Sequence, residues 1–190
     1  EPLLSLKGIS IALADGISTS KVSRIAAESA VKGFFTDYYC TSESWSVRTS
    51  AQRVLEATNS WLHAQTRSQY AYDRDRGYVC TLSALVIKST TGHIFHVGDS
   101  RIYRLSGNSL EQLTNDHRVV VSAEQSYLSR ALGANSQVEI DHLTFRVEKG
   151  DTFLLVTDGI YEHVGDRVMA KAVKDGADDL DRAARDIAEL

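Results

Sequence analysis

Three apolar runs of strand length in this chain each end on an aspartate: residues 9–15 (ISIALAD), 94–99 (IFHVGD) and 153–158 (FLLVTD). A carboxylate set where a buried strand gives way to a loop is costly to desolvate unless a cation or several hydrogen-bond donors meet it. Asp15, Asp99 and Asp158 therefore point to one shared metal site at the end of a sheet structure. Any one of them alone reads as a turn, because Asp15-Gly16 and Asp158-Gly159 are ordinary turn dipeptides. Carboxylates are hard oxygen ligands, suited to magnesium or manganese, whereas zinc recruits His or Cys.

The remaining chemistry-bearing residues narrow the choice. His93 and His96 lie three apart in a strand-like run and must point to opposite faces, so they make no zinc pair. Cys40 and Cys80 lack Cys-x-x-Cys spacing and imply neither a zinc ribbon nor a disulfide framework. Neither cysteine has an arginine six positions later, which argues against a thiolate phosphatase. No P-loop and no dinucleotide fingerprint occurs. The segment Asp73-Arg74-Asp75-Arg76-Gly77 opens like a calcium loop, but its twelfth position is Ala84, so it reads as a solvated connector.

A length of 190 residues, with 43% hydrophobic and 24% charged, fits one globular domain with a substantial core. The net charge of −4 argues against nonspecific nucleic-acid binding, which needs a basic face. Apolar stretches such as residues 82–87 are too short to cross a bilayer, and Glu1-Pro2 opens no signal-peptide pattern. A cytoplasmic setting without membrane contact is the expectation.

The periodicity predicts a strand over 9–14 and a helix over 21–38, with Ser18, Thr19 and Ser20 as cap candidates and Val22, Ile25, Ala26, Ser29 and Gly33 on its packing face. A second amphipathic helix spans 47–69. Strands follow at 79–88, 93–97, 101–105 and 110–113 as an antiparallel meander. Ser122-x-x-Gln125 is a capping box for a short helix through Leu132. Strands at 138–147 and 152–157 flank the Lys149-Gly150-Asp151 turn, and helices near 167–174 and 178–190 close the chain. Antiparallel strands with helices at both ends predict an α+β fold, a layered α-β-β-α sandwich.

Several motifs occur in one order: Ala14-Asp15-Gly16, His96-Val97-Gly98-Asp99-Ser100-Arg101, Leu113-Thr114-Asn115-Asp116-His117, Ser129-Arg130-Ala131-Leu132-Gly133, and Gly150-Asp151 through Thr157-Asp158-Gly159. Together they resemble the metal-dependent Ser/Thr protein phosphatases of type 2C. The stretches around Asp15–Ser20 and Tyr38-Tyr39-Cys40 further resemble the phosphatase halves of bacterial proteins that fuse this domain to a Ser/Thr kinase.

This resemblance implies hydrolysis of phosphoserine and phosphothreonine in proteins, with Mn2+ or Mg2+ as cofactor, two ions and a third. Asp15 matches the aspartate that bridges two ions, and the Gly16 carbonyl matches a backbone ligand. Asp158 matches a ligand of the other ion, and Asp99 the residue near a third, weaker one. Asp15 and Asp158 would act in catalysis through metal-bound water. Ser100, Arg101, Asp116 and His117 read as structural. The implied partners are a phosphorylated protein and a kinase domain in the same parent chain.

The sequence also departs from the family pattern. Ile17-Ser18-Thr19 stands where many relatives have His or Met followed by two glycines, and few residues follow His117 where relatives carry a longer flap. The expectation is one phosphatase-like domain over residues 1–190, truncated at both ends relative to the family and lacking terminal strands. A noncatalytic phosphatase-like module that binds a phosphoprotein or regulates a kinase is the alternative.

Overall fold

The computed structural model of the chain describes residues 2–71, 73–122 and 125–190. Helix α1 (Pro2–Lys7) leads into strand β1 (Ile9–Leu13), followed by the long helices α2 (Ser23–Cys40) and α3 (Val47–Tyr70). Strands β2 (Leu82–Lys88), β3 (Thr91–Val97), β4 (Arg101–Ser106) and β5 (Ser109–Gln112) come next. A hairpin of β6 (Arg118–Ser122) and β7 (Gln125–Leu128) precedes β8 (Asp141–Arg146) and β9 (Phe153–Val156). Helices α4 (Asp158–Tyr161), α5 (Asp166–Asp175) and α6 (Leu180–Ala188) finish the chain.

Two antiparallel sheets, ordered β1-β2-β3-β8 and β5-β4-β9, form the centre. The two-residue period of a strand assigns each side chain to a layer. Leu82, Ala84 and Val86 of β2 pack with Phe34, Tyr38, Leu55 and Leu62 of α2 and α3, while Leu85 joins Ile94 and Ile102 in a second cluster. Phe153 and Leu155 of β9 reach that second cluster; Leu154 and Val156 pack with Met169, Val173 and Ile187 of α5 and α6. Helices on one sheet, a layer between sheets and helices on the other sheet give the α-β-β-α order expected of the α+β sandwich.

Some local expectations fail. The packing face of α2 is Ala26, Ala30, Phe34 and Tyr38, and Ile25 is half exposed. The reason lies in the helix start: Ser20 does not cap α2 but accepts from Val22 N and donates to the Gly77 carbonyl, so the first turn begins at Ser23. The strands over 82–112 do not form one meander. Gly98, with φ +111°, turns the chain out of the first sheet into the second, and a Cβ there would stand 2.6 Å from Thr81. Similarly, β8 and β9 belong to different sheets, so the turn between them is a crossover.

The short helix from Ser122 through Leu132 is absent as well. The β6–β7 hairpin stands there, pairing Arg118 with Leu128 and Val119 with Tyr127, although residues 123–124 lie outside those described. The β-branched run Val119-Val120-Val121 outweighs the local capping signal. Helix α1 has no counterpart in the sequence reading; buried Lys7 anchors it, donating to Thr41 Oγ1 (2.7 Å) and the Ser42 carbonyl (2.8 Å).

Candidate active site

Strand register brings the three strand-end aspartates to one end of the sandwich. In the first sheet Leu13 pairs with Ser83, and Leu82 with Val97, so the end of β1, the start of β2 and the end of β3 are neighbours. In the second sheet Arg101 pairs with Val156, which sets the start of β4 beside the end of β9. Asp15 follows β1, Asp99 sits at the crossover after β3, and Asp158 opens α4 directly after β9. All three, with Gly16, line one cavity of about 330 Å³. A second hollow of about 450 Å³ adjoins it, sharing Asp15 and Gly16 and reaching Arg24, Glu28 and Lys32 of α2.

The backbone around these carboxylates is pinned. Thr81 holds Asp15 from both sides: its hydroxyl accepts from Asp15 N (3.0 Å) and its own N–H donates to the Asp15 carbonyl (2.7 Å). Ser100, fully buried, stands 2.7 Å from the Thr81 hydroxyl, and its carbonyl accepts from Ser83 Oγ. Tyr161 donates its hydroxyl to the Asp99 carbonyl at 3.0 Å. Asp158 Oδ1 accepts from Gly159 N, as an acid at a helix start commonly does.

Electrostatically the site is short of positive charge. Burial raises the pKa of Asp15 above its ordinary value, with the neighbouring Asp158 carboxylate adding to the shift and Asp99 contributing further. Burial likewise raises Asp99, although Arg118 opposes it. Beside Asp158, and with burial as the larger cause, Asp15 resists ionisation unless a cation offsets the charge. Burial pushes the Cys80 thiol beneath Asp15 up to about 12, so it stays protonated and the cavity offers only hard oxygen donors. That donor set suits magnesium or manganese.

Among the described residues, the cation placed among these acids is Arg118, which sequence reasoning missed. Its Nε lies 2.5 Å from Asp99 Oδ2, its Nη2 2.9 Å from Asp158 Oδ2 and its Nη1 2.6 Å from Glu162 Oε1. Among the described residues no three His, Cys, Asp or Glu side chains converge as a ready-made metal cage, and the guanidinium stands between two of the expected ligands. An arginine directly after Asp116-His117, at the head of a β-branched run, is the local trace of this role.

The other motif residues form the frame. Arg101 grips Asp116 through Nε (3.0 Å) and Nη2 (2.7 Å), donates to Tyr103 and stacks on the Tyr161 ring at 3.6 Å. Gly98 and His117 lock the two motif loops together: Gly98 N donates to His117 Nδ1 (3.1 Å), and His117 N donates to the Gly98 carbonyl (2.8 Å). Since Nδ1 accepts, Nε2 carries the proton and donates to Asp141 at 3.0 Å. Burial works against the Asp141 carboxylate, yet His117 and Arg130 bring its pKa below the usual range. His96 and His93 do face opposite ways, His96 to Ser83 and the Asn115 carbonyl, His93 to His142.

A two-sheet sandwich with opposed helical layers, and acids from three distant segments meeting at one end, is the architecture of a protein phosphatase. A family profile described as protein phosphatase 2C matches residues 5–187, and the chain belongs to that family. It is 29% identical over 187 residues to the serine/threonine phosphatase stp of Listeria welshimeri, covering 86% of this chain and 71% of that protein. It is 29% identical over 167 residues to the protein phosphatase PhpP of Streptococcus pneumoniae, covering 79% and 66% respectively. The catalytic domain of the phosphatase PstP, solved with two manganese ions, superposes with a TM-score of 0.79 at 23% identity, covering 95% of this chain and 79% of that one. Stp1 of Staphylococcus aureus superposes at 0.76 with 19% identity, covering 94% and 78%. Among the described residues no helix is long and apolar enough to cross a membrane.

Proposed function

We propose that this chain is a metal-dependent protein phosphatase domain that hydrolyses phosphoserine and phosphothreonine in proteins. In this reading Asp15, the Gly16 carbonyl and Asp158 hold manganese or magnesium, and Asp99 holds a further ion more weakly. The observation that carries it is the meeting of Asp15, Asp99 and Asp158 in one cavity, in a chain of the protein phosphatase 2C family.

Divalent ions, when bound, supply an acidified water and neutralise charge on the phosphoryl oxygens during in-line displacement. The chain's own residues do the rest. Thr81 and Ser100 fix the backbone that presents Asp15, while Tyr161 fixes that of Asp99. Gly159 N orients one oxygen of Asp158, leaving the carboxylate aimed into the cavity. The adjoining hollow along α2 provides open, mixed-charge surface for the polypeptide that carries the phosphate. A kinase in the same parent chain as functional counterpart rests on the residue 15–20 and 38–40 stretches alone.

Manganese-dependent phosphate release from a phosphothreonine peptide tests the reading, measured on this chain and on a form extended at both ends toward the length of its relatives. A folded, extended form without metal-dependent hydrolysis would sink it. Arg118 seated between Asp99 and Asp158 favours the noncatalytic alternative; the retained, mutually repelling Asp15 and Asp158 oppose it, since an unused site gains stability by losing such charges. Phosphopeptide binding that survives chelation and Asp158→Asn would favour that module.

A further inference from the structure

Arg118 is a charged side chain of this site that the proposed chemistry leaves without a task. Its position is specific. All three donor-bearing nitrogens are engaged, each on a carboxylate from a different place: Asp99 at the sheet crossover, Asp158 at the head of α4 and Glu162 one turn further on. The Asp99 side chain is 6% exposed and that of Arg118 26%, so this contact is shielded from water, whereas the one to Glu162 lies at the exposed rim. The guanidinium fork suits such bridging, whereas an ammonium acts as a point charge. Asp15 is not among its partners.

We propose that Arg118 is a tethered cation that competes with a divalent ion for Asp99 and Asp158. Without metal it satisfies both carboxylates and keeps the cavity from flying apart by charge repulsion. An ion on the Asp158 side must displace it, and the guanidinium then remains held by Glu162 at the rim. The Asp15 and Gly16 side loads without that competition, so the two sides differ in affinity by design of this chain's own residues. The inference rests on the metal-binding reading above.

The experiment is calorimetric titration of the chelator-stripped 190-residue protein with manganese chloride, for the wild type, Arg118→Gln and Arg118→Lys, together with melting temperatures in chelator and in saturating manganese. Loss of charge-assisted hydrogen bonds to two carboxylates predicts that Arg118→Gln binds manganese roughly tenfold to a hundredfold more tightly. Arg118→Lys should fall between it and the wild type. In chelator Arg118→Gln should melt below the wild type, with the gap closing in manganese, a pattern that loss of a purely structural contact would not give. Binding by Arg118→Gln alone, with none by the wild type, also supports the competition. Equal or weaker manganese affinity in the folded variant overturns it while leaving the metal reading intact. If Arg118→Gln does not fold in chelator, an unchanged affinity in Arg118→Lys overturns it equally. No manganese binding by any form overturns both.

Discussion

Two arginines stand near Tyr161, and they keep very different company. Arg101 meets one carboxylate, Asp116, in a two-nitrogen grip, with the Tyr103 hydroxyl and the Tyr161 ring completing its surroundings. Arg118 faces Asp99, Asp158 and Glu162 at once, with Asp15 next to Asp158. The first cluster is charge-matched and holds two loops in place. The second has a surplus of negative charge that the protein alone does not neutralise, and a fold tolerates such a surplus where a cation belongs. Side by side, the clusters separate frame from site without reference to any relative.

The comparison breaks most sharply at Asp15. Asp15→Asn should lower manganese-dependent hydrolysis of a phosphothreonine peptide by about a thousandfold, the several kcal/mol a metal site supplies. The same change should raise the melting temperature in chelator. Burial and Asp158 lift the folded-state pKa of Asp15, so its ionised form costs stability near neutral pH and its removal relieves that cost. A lower chelator melting temperature for Asp15→Asn would put Asp15 in the frame instead.

On the frame side, the largest expected effect is a pH response at His96. Burial, with His117 beside it, pushes its pKa down to about 4, below the ordinary 6.5. The unfolded chain therefore takes up a proton that the folded one refuses, so stability falls as pH drops below about 6.5 and levels off near 4, by up to roughly 3 kcal/mol. Asp15 and Asp99 push the other way as they protonate. Denaturant unfolding of the wild type and of His96→Gln across that range isolates the His96 part; parallel curves would remove it.

Smaller again is Arg101→Ala, which strands a part-buried Asp116 and should cost about 2 kcal/mol, between an exposed and a buried pair. Its manganese affinity should stay within twofold of the wild type, in contrast to Arg118→Gln. Smallest is Asp151, which sits in a family motif but only closes a turn, accepting from Glu148 N and Arg104. Asp151→Ala should lose about 1 kcal/mol in denaturant unfolding and leave metal titration unchanged.

What the sequence revealed and what it hid follow one division. Alternating apolar residues located the sheet strands, and acids at strand ends marked Asp15, Asp99 and Asp158, because both signals are local. The sheet that each strand joins depends on the turn at Gly98, and a single glycine in a motif does not announce a change of layer. The β6–β7 hairpin was hidden behind a capping box whose local preference is weaker than strand pairing. The place of Arg118 after Asp116-His117 hints at a role, but its reach to Glu162, 44 residues on, cannot be read from the neighbouring sequence.

The passage of the chain between sheets at Gly98 has one further effect. Asp15 is carried by one sheet and Asp158 by the other, with Leu85, Ile94 and Ile102 filling the layer between them. Those side chains hold the two sheets apart, and each acid stands at the end of its own sheet. A change of volume in that layer, far from any carboxylate, therefore bears on how the two acids face each other.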